Sequence, residues 1–218
     1  LIEVVYIFIY SQQFTFAATG ETRAVVRNEL GIGGEQPVLL QVARFHPVKD
    51  HATAIRAFAF AFKQGQWNEK QTPVFLLAGD GDKKDEMEKL VTELGVNDHV
   101  RFLGVRSDVP RLMAAADVFT LSSLSEGISV TLLEAMGAAV PIAATDVGGN
   151  GEVVKHESSG LLSPRSDHEG LGRNLLMLLT DAATRRRMGD AGRQRLLETF
   201  TQEQMHSRYA AIYEEMLG

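Results

Sequence analysis

The sequence predicts an α/β fold, a doubly wound parallel sheet of Rossmann-like topology covered by helices. Two observations support this class. From Pro37 onward, short apolar runs rich in Val, Leu and Phe alternate with longer segments of helical period, as in a sheet whose parallel strands are buried on both faces. The 218 residues are 44% hydrophobic, which is ample for one continuous core.

Six strands are predicted in order, at residues 38–43, 74–78, 100–103, 118–121, 142–144 and 160–162. Helices at 50–64, 83–94, 109–115 and 129–137 lie between them and supply the crossovers that parallel strands need. After Ser163 the pattern is wholly helical, with segments at 167–179, 184–199 and 202–217. We expect these extra C-terminal helices to cover one edge of the sheet.

The start of the chain does not join this alternation. Residues 1–10 are apolar but too few to span a bilayer, and we interpret them as a strand. We therefore divide the chain into an N-terminal segment or linker, residues 1–24, and a single domain, residues 25–218. The first residue is not Met, and we expect the sequence to be a fragment.

The composition disfavours several classes of protein. A formal net charge of -6 gives no overall attraction for nucleic acid or for an anionic membrane. The absence of cysteine excludes disulfides and thiolate metal sites, and the six histidines are scattered, so we predict no metal site. No Gly-x-Gly-x-x-Gly joins a strand to a helix, which disfavours a nicotinamide or flavin dehydrogenase. Neither a P-loop nor a Gly-x-Ser-x-Gly elbow is present, which disfavours a P-loop NTPase and a hydrolase.

Two cations follow the first βα strand. Arg44 and Lys49 stand five residues apart in the loop that leaves the carboxyl end of this strand, where doubly wound sheets bind ligands. Such a pair suits a diphosphate. The alternative is that both are solvated surface cations beside a proline turn. His46 and His51 flank the loop and are expected to be surface imidazoles.

A second constellation, Ser-Glu-Gly-Ile-Ser at residues 125–129, follows the fourth strand and opens a helix. The backbone N–H groups of Gly127, Ile128 and Ser129 are expected to be unpaired and directed at an anion above the sheet. Glu126 precedes the helix and Glu134 lies in its second turn, and carboxylates are good acceptors for sugar hydroxyls. The alternative makes Glu126 a helix-capping acid and Glu134 a solvated helix residue. Gly79, in a Gly-Asp-Gly turn after the second strand, is a weaker signal that allows close backbone approach.

From about Val38 to its end, the sequence resembles the carboxyl-terminal domain of family-4 glycosyltransferases, retaining enzymes of the GT-B fold. The resemblance rests on V-A-R-F-H-P-V-K-D-H, L-L-A-G-D-G, V-R-F-L-G, A-A-D-V-F-T-L-S-S-L-S-E-G, two acids separated by seven residues, L-L-E-A-M-G, V-P-I-A-A-T-D-V-G-G and S-S-G-L-L-S-P. Their joint order and spacing are far more specific than any one of them.

The resemblance implies a role for each candidate residue. Arg44 and Lys49 would bind the diphosphate of the donor, Glu126 would hold hydroxyls of the transferred sugar, and Glu134 would bind the ribose. The turn at 127–129 would meet phosphate or sugar. Backbone groups of Arg101, Phe102 and Leu103 would lie beside the nucleobase. The donor would be a nucleoside-diphosphate sugar, expected to be a UDP- or GDP-sugar, and neither a metal nor another cofactor is expected.

The resemblance covers only one half of a GT-B enzyme. The acceptor site would lie on an N-terminal Rossmann-like domain absent from this chain, so we expect little or no transfer by the chain alone. The alternative is a noncatalytic nucleotide-sugar-binding or interaction module. We expect a cytoplasmic location, with peripheral membrane association left open for the full-length enzyme. An apolar strip on the last helix, through Tyr209, Ile212, Tyr213 and Met216, would face the missing domain or a second copy, or would pack on its own sheet.

Overall fold

The computed structural model describes residue 14 and residues 20–217. The predicted strand at residues 1–10 lies outside this part of the chain. The structure contains one six-stranded parallel sheet in the order β3-β2-β1-β4-β5-β6. Its strands are β1 (Val38–Val42), β2 (Val74–Ala78), β3 (Val100–Gly104), β4 (Val118–Leu121), β5 (Ile142–Thr145) and β6 (Gly160–Ser163). The six strands predicted between residues 38 and 162 are confirmed, with ends that differ by no more than one residue.

Helices connect and cover these strands. They are α1 (Gly20–Glu29), α2 (His51–Gln64), α3 (Lys84–Glu93), α4 (Val109–Ala115), α5 (Val130–Gly137), α6 (Asn150–Val153), α7 (His168–Thr180), α8 (Ala182–Thr199) and α9 (Gln202–Leu217). The seven predicted helices are confirmed, whereas α1 and the short α6 were not placed by the sequence analysis. No helix within the described residues is long and apolar enough to cross a membrane.

The sheet separates two apolar cores. Successive residues of a strand point to opposite faces, so Val38 and Leu40 enter one core while Leu39 enters the other. Helices α4 and α5 cover the first face, and α2, α3 and α7 cover the second. Both faces of the sheet are therefore buried, which explains why its strands are mostly apolar.

The C-terminal helices do not all cover the sheet edge, as the sequence analysis expected. Helix α7 packs along α2 on one face. Helix α8 does cover the β6 edge, because Met188 enters one core and Leu196 enters the other. Helix α9 has no buried residue at all.

Helix α1 is held to the domain by buried charge. The Arg23 and Arg27 guanidinium groups each donate to the Asp117 carboxylate at 2.6 Å, and the Arg27 side chain is only 4% exposed. Arg27 also donates to the Ala115 carbonyl at 3.1 Å and to three carbonyls of residues 33–36. The division that the sequence places between residues 24 and 25 falls inside this helix.

The strand order fixes where a ligand can bind. The chain moves outward from β1 to β2 and β3, then returns to place β4 on the other side of β1. The loops after β1 and β4 therefore part on opposite faces and leave a crevice at the carboxyl ends of these two strands.

Candidate functional site

The loop between β1 and α2 carries both predicted cations on a fixed frame. Arg44 is exposed, but the next residue, Phe45, is buried, and its N–H donates to the Asp80 carbonyl at 2.9 Å. A 3-10 turn, Pro47–Lys49, closes the loop. The Asp50 carboxylate then caps α2 by accepting from the Thr53 hydroxyl at 2.7 Å and from its N–H at 3.3 Å.

His51 is a buried part of this frame, and the prediction of a surface imidazole is wrong for it. It is 3% exposed, and its ring stacks on Phe45 with the centroids 4.2 Å apart. Burial lowers the pKa of His51 to about 4, against the opposing effect of its hydrogen bond to the Ala43 carbonyl. The imidazole is therefore neutral at pH 7. His46 is exposed as expected, and its Nδ1 accepts from the Val48 N–H at 3.3 Å.

Gly79 is required by the protein's own backbone. Its φ is +145°, and a Cβ at this position would lie 2.0 Å from the Ala43 carbonyl oxygen. The Gly79 N–H donates to the Gly104 carbonyl at 2.8 Å. The missing side chain thus lets the loops after β1, β2 and β3 close on one another, so the close backbone approach that this Gly-Asp-Gly turn allows is made by the chain itself.

The loop after β4 is bonded to the loop after β1. Ser122, the first residue beyond β4, donates its hydroxyl to the carbonyls of Lys49 at 3.1 Å and Asp50 at 2.7 Å. The Leu124 N–H donates to the Val48 carbonyl at 2.8 Å. These three bonds set the distance between the two loops that flank the crevice.

Lys49 and Glu126 meet directly across this crevice. The Lys49 Nζ lies 2.5 Å from the Glu126 Oε1, and the same oxygen accepts the Ser123 hydroxyl at 2.5 Å. The Lys49 side chain is 26% exposed and the Glu126 side chain is 10% exposed. A cation and a carboxylate far apart in sequence therefore form one partly buried cluster.

The start of α5 presents free amide groups beside this cluster. Ser129 is the N-cap residue, but its buried hydroxyl lies 3.1 Å from the Thr131 hydroxyl and does not cap the helix. Within the described chain, none of the backbone N–H groups of residues 127–131 donates a hydrogen bond. Gly127 is exposed, and no atom lies within 4 Å of where its Cβ would be. This arrangement favours an anion.

Glu134 is half-buried in the second turn of α5. Burial raises the pKa of its carboxyl to about 7, and no group among residues 20–217 donates a hydrogen bond to it. A solvated helix residue, the alternative that the sequence left open, would not show this shift. The carboxyl is partly desolvated and free to accept a bond from a ligand.

Beside these groups lies a cavity of about 420 Å³ at the carboxyl ends of β1, β2 and β3. Arg44, Gly79 and Thr131 line it, together with Val42, Ala43, Ala78, Asp80, Val105 and Arg106. Lys49, Glu126 and Glu134 are not among its lining residues. Glu134 follows Thr131 by three positions and so shares a face of α5 with it. Another cavity of about 330 Å³ lies at the amino-terminal ends of β4 and β5, beside Arg23 and Asp117, and contains no predicted site residue.

Residues 101–103, the segment predicted to contact the nucleobase, direct their side chains to other parts of the protein. The Arg101 guanidinium donates to the Leu30 carbonyl, and the Phe102 ring packs against Phe45 at 5.8 Å between centroids. Leu103 packs against the core on the opposite face. The prediction assigned only the backbone groups of this segment to the nucleobase, and these side-chain contacts do not involve them.

Ser122, Ser123 and Thr131 were not predicted as site residues from the sequence. Two hydroxyl side chains directly after a buried strand at the switch point were the available signal for the serines. Among the described residues, no group of three or more His, Asp or Glu side chains is placed to hold a metal ion.

Comparison with known proteins identifies the family. Residues 22–195 match the family described as glycosyl transferases group 1. The chain is 33% identical over 192 residues to the N-acetyl-alpha-D-glucosaminyl L-malate synthase of Bacillus anthracis, a match over 88% of this chain and 49% of that protein. It is 31% identical over 198 residues to the lipopolysaccharide core biosynthesis glycosyltransferase LpsE of Rhizobium meliloti, a match over 90% of this chain and 55% of the relative.

The fold agrees with that match. The structure of HepE from Anabaena in complex with UDP superposes with a TM-score of 0.87 at 23% identity, over 98% of this chain and 57% of that one. The predicted α/β class with a Rossmann-like parallel sheet is thereby confirmed. The chain spans about half the length of the curated relatives that it matches. The chain belongs to the glycosyl transferases group 1 family.

Proposed function

We propose that this chain is the carboxyl-terminal, donor-binding domain of a family-4 retaining glycosyltransferase, which transfers a hexosyl group from a nucleoside-diphosphate sugar. One observation carries the proposal. Lys49, Glu126 and the free N–H groups at the start of α5 meet at the switch point of the sheet, beside a cavity lined by Arg44. This combination supplies positive charge for a diphosphate and a carboxylate for sugar hydroxyls.

The proposed mechanism rests on charge stabilisation. As the glycosyl-phosphate bond breaks, negative charge grows on the leaving nucleoside diphosphate. Arg44, Lys49 and the amide dipoles of residues 127–129 would stabilise this charge without a divalent metal. Because the loop-to-loop hydrogen bonds fix the backbone of Lys49 and the start of the loop after β4, little reorganisation of this backbone would be needed during the reaction.

Glu126 would position the transferred sugar and is not assigned as a covalent nucleophile. One of its oxygens already accepts from Lys49 and Ser123. The other would accept a sugar hydroxyl. For a reaction that retains anomeric configuration, an oxygen of the donor phosphate would take the proton from the acceptor.

The nucleoside would extend from Glu134 across the 420 Å³ cavity toward the end of β3. The half-buried Glu134 carboxylate would accept the ribose hydroxyls. Backbone groups of residues 101–103 would contact the base. The complex of the similar HepE with UDP supports a UDP-sugar as the donor, with a GDP-sugar as the other expected choice.

The acceptor would bind a second Rossmann-like domain outside these 218 residues. The greater length of the curated relatives supports this. The exposed face of α9, with Tyr209 at 44% and Tyr213 at 62% exposure, offers an apolar surface on which such a domain could pack. We therefore propose that the chain alone transfers little or no sugar, because donor and acceptor must be held together in near-attack geometry.

Calorimetric titration of the chain with UDP, GDP, ADP and their sugar conjugates, with and without EDTA, tests the proposal. We expect one uridine or guanosine series to bind, and EDTA to change the Kd little. Arg44→Gln should weaken binding about tenfold or more, as for the loss of a charged hydrogen bond.

The matched control is Arg173→Gln, which removes a cation that is 62% exposed on α7, away from the site. It should leave the Kd unchanged. Binding that needs magnesium or manganese would contradict the metal-independent assignment. Failure of every nucleotide to bind would contradict the donor-site proposal itself, and robust sugar transfer by the chain alone would contradict the half-enzyme reading.

A further inference from the structure

Lys49 does not stand in the crevice as a free cation. Its ammonium is bonded to Glu126 Oε1 at 2.5 Å, and the same oxygen accepts the Ser123 hydroxyl at 2.5 Å. Within the described residues no donor reaches the second oxygen, Oε2. Two donors therefore share one oxygen of a carboxylate that is only 10% exposed.

Ser123 itself has a defined position. It is fully buried, and its carbonyl accepts the Thr145 hydroxyl from β5 at 2.7 Å. The neighbouring Ser122 hydroxyl bonds to the Lys49 and Asp50 carbonyls and so fixes the backbone of the lysine. The backbone of Lys49 and the carboxylate that holds its side chain are thus both anchored to the end of β4.

We propose that Ser123 and Glu126 act as positioning residues for the Lys49 ammonium, in addition to any contact between Glu126 and the sugar. The hydroxyl fixes the carboxylate, and the carboxylate holds the ammonium at the mouth of the crevice before the donor arrives. A lysine has four rotatable side-chain bonds, and ordering them in advance lowers the entropy that is lost when a phosphate binds. This inference rests on the proposed function, because it assigns a diphosphate as the partner of Lys49.

A positioning role for Glu126 predicts that Glu126→Gln lowers the affinity for UDP, whereas simple electrostatics predicts that it raises this affinity. If Glu126 acted only as a nearby negative charge, Glu126→Gln would strengthen the binding of an anion such as UDP. If Glu126 touched only hydroxyls of the transferred sugar, Glu126→Gln would leave the binding of UDP, which lacks that sugar, unchanged. If it positions Lys49, Glu126→Gln weakens UDP binding.

The experiment measures the Kd of UDP by calorimetry for the wild-type chain, Ser123→Ala, Glu126→Gln, Lys49→Met and the Lys49→Met/Glu126→Gln pair. We expect the Kd to rise about fivefold in Ser123→Ala, which changes no charge, and about tenfold in Glu126→Gln. The double variant should bind no more weakly than Lys49→Met, because Glu126 acts through the lysine. Circular dichroism verifies that each variant folds.

Two controls match these substitutions. Ser159→Ala removes another buried hydroxyl, which accepts from the Lys155 N–H at 2.9 Å near β6, away from the site. Glu152→Gln removes an exposed carboxylate of α6. Neither should change the Kd of UDP.

A second readout needs no ligand. The rate at which an amine-reactive reagent labels Lys49, followed by mass spectrometry, should rise in Ser123→Ala and Glu126→Gln because the ammonium is released. Unchanged or tighter UDP binding in Glu126→Gln, or an unchanged labelling rate, would overturn the inference. If the wild-type chain binds no nucleoside diphosphate, the proposed function fails, whereas the labelling rates still decide whether Ser123 and Glu126 hold the lysine.

Discussion

At the scale of single residues, two glycines at the site differ in whether the fold itself requires them. Gly79 has a φ of +145°, and any Cβ there would clash with the Ala43 carbonyl. Gly127 has open space where a Cβ would be. Gly79 is therefore required by the backbone conformation. Gly127 is not required by the fold, so a need for glycine there would come from a ligand.

Substituting each glycine by alanine should give different results. Gly79→Ala is expected to lower the free energy of unfolding by about 1–3 kcal/mol, because an alanine would be strained at this φ. Gly127→Ala should leave the melting temperature unchanged but weaken donor binding, because its methyl group would project toward the anion. Thermal unfolding and calorimetry measure the two effects. A Gly127→Ala variant that binds the donor like the wild type would remove Gly127 from the site.

Glu134 gives the site a pH dependence. Its pKa is raised to about 7 by burial, and a carboxylate that accepts two ribose hydroxyls must be ionised. The affinity for UDP-glucose should therefore rise as the pH increases from 6 to 8, a range in which the phosphates of this ligand do not titrate. Glu134→Gln should bind more weakly and show no such rise. An equal pH dependence in wild type and variant would contradict a role for this carboxyl.

The Glu134 carboxyl should make the stability of the fold decrease as the pH rises, opposite to its effect on donor affinity. The folded-state pKa of Glu134 lies above its ordinary value of 4.5, so the protonated form favours the folded state. Its stabilising contribution is present below pH 4.5 and is lost as the pH rises toward 7. Glu134→Gln should abolish this part of the pH dependence, as measured by denaturant unfolding at pH 4.5 and pH 8.

At the scale of secondary-structure elements, the sequence predicted all six strands that lie within the described residues, because each is a short, mostly apolar run between turn residues. It did not predict α1. The sequence of this helix, GETRAVVRNE, is mostly polar, and the contacts that hold it involve Asp117, far away in the chain. The burial of His51 was missed for a similar reason, since its ring is accommodated by Phe45 and the Ala43 carbonyl, a pairing that no local pattern reveals.

For the candidate site, the placement of the loops could be predicted from the sequence. Topology alone brought the loops with Lys49 and Glu126 together at the switch point, as expected from residues that follow parallel strands. The direct bond between the two side chains and the role of Ser123 in it depend on side-chain geometry. Whether these residues bind a donor stays a prediction.

The anchoring of α1 should be energetically large. Asp117→Ala would leave the buried Arg27 guanidinium without its counter-ion, and we expect the free energy of unfolding to fall by about 3–5 kcal/mol. The control is Glu29→Ala, which removes a partner of Arg111 in an exposed pair at 2.8 Å and should cost about 0–1 kcal/mol. Urea unfolding measures both. Equal, small effects would show that Asp117 does not anchor the helix.

At the scale of the whole molecule, the last helix, α9, is poorly integrated into the described part of the chain. The apolar strip of α9 was expected either to pack on its own sheet or to face a partner. The first alternative is wrong, because α9 has no buried residue, and Tyr213 and Met216 are 62% and 77% exposed. An exposed strip of this kind favours association.

We expect the chain to self-associate at high concentration through this strip when no other domain covers it. Sedimentation should give an apparent mass above 23.9 kDa that increases with concentration. The Tyr213→Glu/Met216→Glu variant should stay monomeric and keep the wild-type melting temperature, because neither side chain is buried. A wild-type chain that remains monomeric at millimolar concentration would contradict this use of the strip.

The central claim is that residues from the loop after β1 and from the loop and helix after β4 together hold one nucleoside-diphosphate sugar. A crystal structure of the chain with UDP-glucose tests it most directly. The account predicts the diphosphate within hydrogen-bond distance of Arg44, Lys49 and the N–H groups of residues 127–129, with the ribose on Glu134 and the glucose on Glu126. A nucleotide bound elsewhere, for example in the cavity beside Arg23 and Asp117, or one that leaves Arg44 and Lys49 without contact, would contradict it.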